Sequence, residues 1–260
     1  MSALAISPTA SETRLTVTDL TKRYGDRTVL DGFRLSLRAG EVVSLLGANG
    51  SGKSTALRCI AGLVRPDSGS VSMGNEVTRA GAPVPQIAMV FQKIHLVPRR
   101  TVLDNVCTGG LGRLSTLRSL GPALFPRSLR EEAMACLDRV GLADRAWERA
   151  GRLSGGQQQR VAIARALCQR ANVVLADEPV SALDPVAADQ VMRLLRSLAD
   201  NDGLAVAAVL HQPDLARTYS DRILGLQGGR ISFDLAPAEM GEQTMRDLYR
   251  TDYEAEGAVR

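Results

Sequence analysis

Lysine is scarce in this 260-residue chain: Lys22, Lys53 and Lys93 are the only three among 32 basic residues, the rest being arginine. A lysine at a special position therefore points to a need for a compact ammonium rather than a planar fork. Aromatic residues make up 3% of the chain, too few to build stacking platforms for bases. The net charge is only +4 and the basic residues are dispersed, so nucleic acid is not an expected partner. No apolar run approaches the roughly 20 residues of a membrane span. The opening MSALAISPTASETR lacks the basic start and long apolar block of a secretory leader, so a cytoplasmic chain is expected. The four cysteines, Cys59, Cys107, Cys136 and Cys168, lie far apart inside apolar or helical patterns. They show none of the close pairs that metal sites use, and read as buried thiols. Internal repeats, coiled-coil heptads and low-complexity tails are missing as well.

What is present is a composition of 45% hydrophobic and 23% charged residues, enough for a proper core. RLTVTDL and FRLSLRAG alternate like antiparallel strands with one wet face. The pattern then changes to near-continuous apolar runs suited to a buried parallel sheet: EVVSLLG, VVLADEP and LAVAAVLHQ, with GSVSM and IAMVF as further strands. Val191, Leu194, Leu195 and Leu198 form an apolar helical stripe between the last two runs, giving strand, helix, strand. From about Leu96 to Arg170 no strand pattern occurs, while TVLDNV, REEAMACLDRVGL and GGQQQRVAIARALCQRA suit helices. The stretch GGLGRLSTLRSLGPALFPRS predicts a partly irregular surface excursion. RILGLQGGRISF reads as a hairpin, and two short helices are expected after it.

The strongest motif follows the EVVSLLG strand. GANGSGKST matches G-x-x-x-x-G-K-[ST] from Gly47 to Ser54. Phosphate needs several amides aimed at one point, which glycine permits, and a helix N-terminus adds partial positive charge. The expected cradle is Gly47, Asn49, Gly50, Ser51 and Gly52, with Lys53, Ser54 and Thr55 at the helix start; Lys53 bridges the outer phosphates and Ser54 holds Mg²⁺. VVLADE supplies a second half, since an apolar strand ending in Asp177 puts a carboxylate at the sheet edge where nucleotides sit and where Mg²⁺ can be positioned. Glu178 follows at once, and the turn lets it accept a proton from attacking water. LSGGQQQR reads as another helix start: Ser154 and Gln157 have capping-box spacing, and the glycine pair Gly155 and Gly156 suggests that something approaches the backbone closely.

These residues resemble the ATP-binding subunits of ABC transporters, whose signature is LSGGQ, and the resemblance runs from about Arg14 to Tyr249. It implies a P-loop NTPase of ABC type, an α/β fold with a mainly parallel sheet core, an antiparallel β subdomain and an inserted helical subdomain. The implied division of a single nucleotide-binding domain, 14–260, gives core and antiparallel strands to about 14–95 and 171–235, the helical subdomain to about 96–170, and C-terminal helices to about 236–255. In that family two subunits stack head to tail, so Ser154, Gly155, Gly156 and Gln157 of one chain meet the γ-phosphate held by the other. By the same resemblance Tyr24 stacks on adenine, Gln92 senses Mg²⁺ and the membrane partner, Asp184 lies at the dimer seam, and His211 contacts γ-phosphate. His95 matches no such position and is expected at the surface or facing a partner.

Within the family the likeness is to phosphonate-import ATP-binding proteins, through LV.R..VL.NV at Leu96–Val106, RSL at Arg118–Leu120, RVGLAD at Arg139–Asp144 and RAGRLSGGQQQRVAIARAL at Arg149–Leu167. It implies ATP and Mg²⁺ as ligands, a homodimer, two transmembrane permease subunits, an extracytoplasmic substrate-binding protein, and a peripheral position at the cytoplasmic face of the membrane. Gly110 stands where that subfamily has arginine and Leu117 where it has tryptophan, and SFDL lacks the usual glycine after Asp234. The alternatives are the same ATPase serving phosphite, phosphate esters or an export or lipoprotein-release system, and a non-transport ABC ATPase of DNA repair or translation.

Overall fold

A computed structural model of the chain describes residues 12–115 and 121–257, with side chains through 249. Leu117 and Arg118–Leu120 lie outside the described residues.

Strands β1 (Thr13–Tyr24) and β2 (Arg27–Arg38) form a long antiparallel hairpin closed by a two-residue turn. Each strand runs to 12 residues, and the alternation read in RLTVTDL and FRLSLRAG is interrupted on the way to the turn, where the pairing register shifts beside Asp19 (φ 49°). With β4 (Ser68–Met73) and the short β5 (Glu76–Val77) they make a four-stranded antiparallel sheet in the order β2-β1-β4-β5. Strand β3 (Val42–Leu46) belongs to the other sheet, with β6 (Ile87–Val90), β7 (Val173–Asp177), β8 (Ala205–Val209), β9 (Arg222–Gln227) and β10 (Arg230–Leu235). Its order is β10-β9-β3-β8-β7-β6, parallel throughout except for β10, which pairs antiparallel with β9 as the expected hairpin.

Every residue of β3, β7 and β8 is buried, which is what their continuous apolar sequences require of strands covered on both faces. Alternate side chains then feed two separate cores. Val42, Leu46, Val174, Ala176, Val206 and Ala208 pack on the helical side, while Val43, Leu45, Val173, Leu175, Ala207 and Val209 join the side of the antiparallel sheet and α1 (Lys53–Ile60).

Helices α2 (Val102–Cys107), α3 (Arg127–Arg139) and α4 (Gly155–Cys168) pack on one another between β6 and β7. Asn105, buried, fixes the approach to this layer: its side chain accepts from the Val97 amide (2.7 Å) and donates to the carbonyls of Val97 and Thr101 (3.2 and 2.8 Å). Helices α5 (Pro185–Asp202), α6 (Pro213–Tyr219) and α7 (Glu242–Gly257) complete the chain.

Two expectations change. The described start of the supposed surface excursion is a packed 3-10 helix, Thr108–Arg113. A Cβ at Gly109 would lie 2.1 Å from the Arg165 carbonyl oxygen and one at Gly110 2.4 Å from Leu129, so these glycines serve close packing and Gly110 is buried rather than surface-facing. The C-terminal part holds one 3-10 turn, Pro237–Glu239, and one 16-residue helix rather than two short helices. The four cysteines are free and buried.

Candidate functional site

Four neighbouring parallel strands, β3, β8, β7 and β6, deliver the phosphate loop, His211, Asp177 with Glu178, and Gln92 to one sheet edge. Leu45 pairs with Val209, Val209 with Asp177, and Val90 with Ala176. Gln92 and Glu178 therefore stand two residues beyond one paired level, and His211 two beyond the next. Register alone brings them together with the loop that leaves β3.

That loop depends on glycine at specific points. Gly47 (φ 150°) passes so close to β9 that a Cβ would sit 2.2 Å from the Leu226 carbonyl oxygen. Gly52 (φ 107°), the N-cap of α1, would meet the Val29 carbonyl oxygen at 2.6 Å. No side chain could occupy either place without moving the backbone opposite. Lys53 is buried and donates to the carbonyls of Gly47 and Ala48 (2.7 and 2.8 Å). Ser51 is buried too, and its hydroxyl has no hydrogen-bond partner among the described residues. Asn49, Gly50, Gly52, Lys53, Ser54 and Thr55 line a cavity of about 240 Å³ that Glu178 closes from β7.

The two carboxylates have different neighbours. Asp177, 3% exposed, accepts a hydrogen bond from the Ser54 hydroxyl (2.7 Å), and Arg58 approaches its other oxygen at 3.7 Å. A hydroxyl and a carboxylate side by side are hard oxygen donors of the kind Mg²⁺ uses when phosphate and water fill the rest of its shell. Glu178 holds a left-handed backbone (φ 51°), uncommon for a non-glycine residue. Both of its carboxylate oxygens are engaged: Nε2 of His211 lies 2.8 Å from Oε1, and Nε2 of Gln92 donates to Oε2 at 2.7 Å. Gln92 also reaches the Ser181 hydroxyl (3.3 Å).

The remaining candidates stand apart from this cluster. Tyr24 is 52% exposed at the tip of the β1–β2 hairpin, with the Lys22 ammonium 5.2 Å from its ring centroid. Ser154 caps α4, and the expected capping box is formed in full: the Gln157 amide donates to the Ser154 hydroxyl (3.3 Å), and the Ser154 amide to the Gln157 side chain (3.0 Å). The close neighbours of the glycine pair are residues of this same chain. A Cβ at Gly155 would lie 3.2 Å from Leu183, and one at Gly156 3.0 Å from the Ala187 Cβ. Asp184 caps α5 by accepting from the Ala187 amide (2.9 Å). His95 is exposed, its ring edge-on to Phe91 at 5.4 Å, and borders a larger cavity of about 570 Å³ with Arg113 and Arg165.

The motif reading missed Arg27, Val29, Arg58 and Ser181. Arg27 and Val29 line the phosphate-loop cavity. The signal for these two lay in the hairpin: β2 starts directly opposite Tyr24, the residue expected against the nucleotide.

Comparison with known proteins shows the family and the fold. The family described as ABC transporter matches residues 30–181. The chain is 48% identical over 238 residues to the phosphonates import ATP-binding protein PhnC of Frankia casuarinae, covering 89% of this chain and 94% of that protein. It is 44% identical over 242 residues to the phosphonates import ATP-binding protein PhnC of Thiobacillus denitrificans, covering 92% and 93%. Among solved structures, a nucleotide-free ATP-binding cassette from an ABC transporter superposes with a TM-score of 0.79 at 26% identity, covering 92% of this chain and 95% of that one. The dimeric structure of a bacterial ABC transporter cassette gives 0.72 at 33%, covering 86% and 98%. The chain belongs to the ABC transporter family and has the fold of its ATP-binding cassettes.

Proposed function

We propose that this chain is the ATP-binding and ATP-hydrolysing subunit of a transporter that imports phosphonates or related phosphorus oxyanions. The observation that carries the ATPase part is the convergence of the phosphate loop, Asp177, Glu178, Gln92 and His211 at the ends of four adjacent strands. The cargo follows from the relatives, which are named for phosphonate import and match over most of their length.

In this reading the amides of Gly47–Gly52 and the N-terminus of α1 hold the phosphates, Lys53 turns from the loop carbonyls to the outer phosphates, and the Ser51 hydroxyl gains a phosphate acceptor. Ser54, Asp177 and Gln92 hold Mg²⁺, which when bound neutralises phosphate charge. Glu178 takes the proton of the attacking water while His211 keeps that carboxylate oriented and bonds the γ-phosphate. Tyr24 stacks on the adenine. Two copies close head to tail, so that Ser154–Gln157 of one face the triphosphate of the other across the Asp184 loops. Closure drives two permease subunits fed by an extracytoplasmic binding protein, with this chain peripheral at the cytoplasmic face of the membrane.

The test is ATP hydrolysis by the chain reconstituted in proteoliposomes with its permease and binding protein. Hydrolysis is compared without ligand and with 2-aminoethylphosphonate, phosphite or phosphate. Stimulation by the phosphonate above the others is the expected result; stimulation by phosphite or phosphate alone overturns the cargo and leaves the ATPase.

A further inference from the structure

The wall of the phosphate-loop cavity contains a second cation outside the sequence motif. Arg27 opens β2 opposite Tyr24 in the hairpin register, across a turn in which Gly25 is left-handed (φ 57°). Its guanidinium lies over the phosphate loop, with Nη2 3.5 Å from the Gly50 carbonyl oxygen, and it lines the cavity with Val29, Lys53 and Glu178. A contact of that length is at the weak end of hydrogen bonding. Elsewhere in the chain Arg34, Arg196, Arg222 and Arg230 each close on a carboxylate at 2.6 Å. Arg27 forms no ion pair among the described residues, so nearly all of its donor fork is available to a ligand.

The charge of the expected ligand gives this cation a task. A nucleoside triphosphate is more negative than one ammonium and one divalent ion together can neutralise. We propose that Arg27 is a binding residue for the nucleotide's polyphosphate, a second cationic contact beside Lys53 on the edge of the cavity nearest Tyr24. The proposal rests on reading this cavity as the nucleotide site. A guanidinium suits the role because its planar fork bonds phosphate oxygens in pairs. One hairpin then supplies both the base platform and a phosphate contact, and the register of β1 with β2 fixes the spacing between them.

Binding of ATP and ADP to the purified full chain, measured by titration calorimetry, tests this with Arg27→Gln, Arg27→Lys and Lys53→Ala. Thermal melts establish that each variant is folded. Arg27→Gln is expected to weaken ATP roughly tenfold, the loss of a charged hydrogen bond, and to flatten the dependence of affinity on KCl. Arg27→Lys keeps the charge without the fork and recovers part of the loss. In steady-state hydrolysis the KM for ATP rises in Arg27→Gln while kcat changes little. ATP affinity and salt dependence as in the parent in Arg27→Gln, with Lys53→Ala defective, overturn the assignment of Arg27 and leave the site standing. Unchanged ATP binding in Lys53→Ala overturns the reading of the cavity itself. A fall in kcat at constant KM overturns a binding role.

Discussion

Cys59 and Cys107 illustrate how much of this chain's residue-level chemistry is set by burial. Their thiols lie in the core, 3% and 0% exposed, and burial pushes both up to about 11 from an ordinary 9.0, because a thiolate loses its hydration there. At pH 8 both should therefore resist a thiol-specific reagent in the native chain and react only after denaturation; rapid native-state labelling at these two positions would contradict the packing. The same shift links to stability. The folded chain keeps protons that the unfolded chain releases above about 9, so this contribution is present at neutral pH and is lost as pH rises from about 9 towards about 11. Glu178 is the opposite case, a carboxylate whose position is set by partners rather than by burial alone: His211 and Gln92 each take one of its oxygens.

At the scale of elements, α4 begins with a reciprocal cap whose loss has a calculable effect. Ser154→Ala removes the acceptor for the Gln157 amide and should cost about 1 kcal/mol, read as a lower midpoint in urea unfolding with an unchanged slope; an unchanged midpoint would contradict the capping geometry. That cap was legible in the sequence because it is local, three residues of backbone. So were the phosphate loop after β3 and the buried strands β7 and β8, whose apolar runs admit few other readings. Three features depended on contacts distant in the chain. Gly110 is buried because it meets Leu129 on α3, which the glycine-rich composition of its neighbourhood concealed. The glycines of the signature approach Leu183 and Ala187, some thirty residues later in the chain, so part of their need for small size is intramolecular. Arg27, paired with Tyr24 at the hairpin turn, reaches Gly50, 23 residues later in the chain.

At the scale of the whole molecule, one chain has a phosphate loop and a signature helix, but the Ser154 and Gln157 side chains of the capping box each accept from the other's backbone amide rather than bonding to that loop. The proposed function has the site shared between two chains, and that arrangement makes a genetic prediction. Chains with Ser154→Arg and chains with Lys53→Ala, each inactive alone, should regain one intact site per mixed dimer and recover part of the parental hydrolysis; inactivity of purified mixed dimers would contradict the composite site. None of the described helices is long and apolar enough to cross a membrane. The central claim is that Glu178, at the end of β7, converts nucleotide binding into hydrolysis. It is tested most directly by measuring ATP binding and single-turnover hydrolysis side by side in the parent chain and Glu178→Gln. Binding should be retained while hydrolysis falls by roughly 10² to 10⁴-fold, the contribution of a general base; hydrolysis at the parental rate in Glu178→Gln would contradict the account.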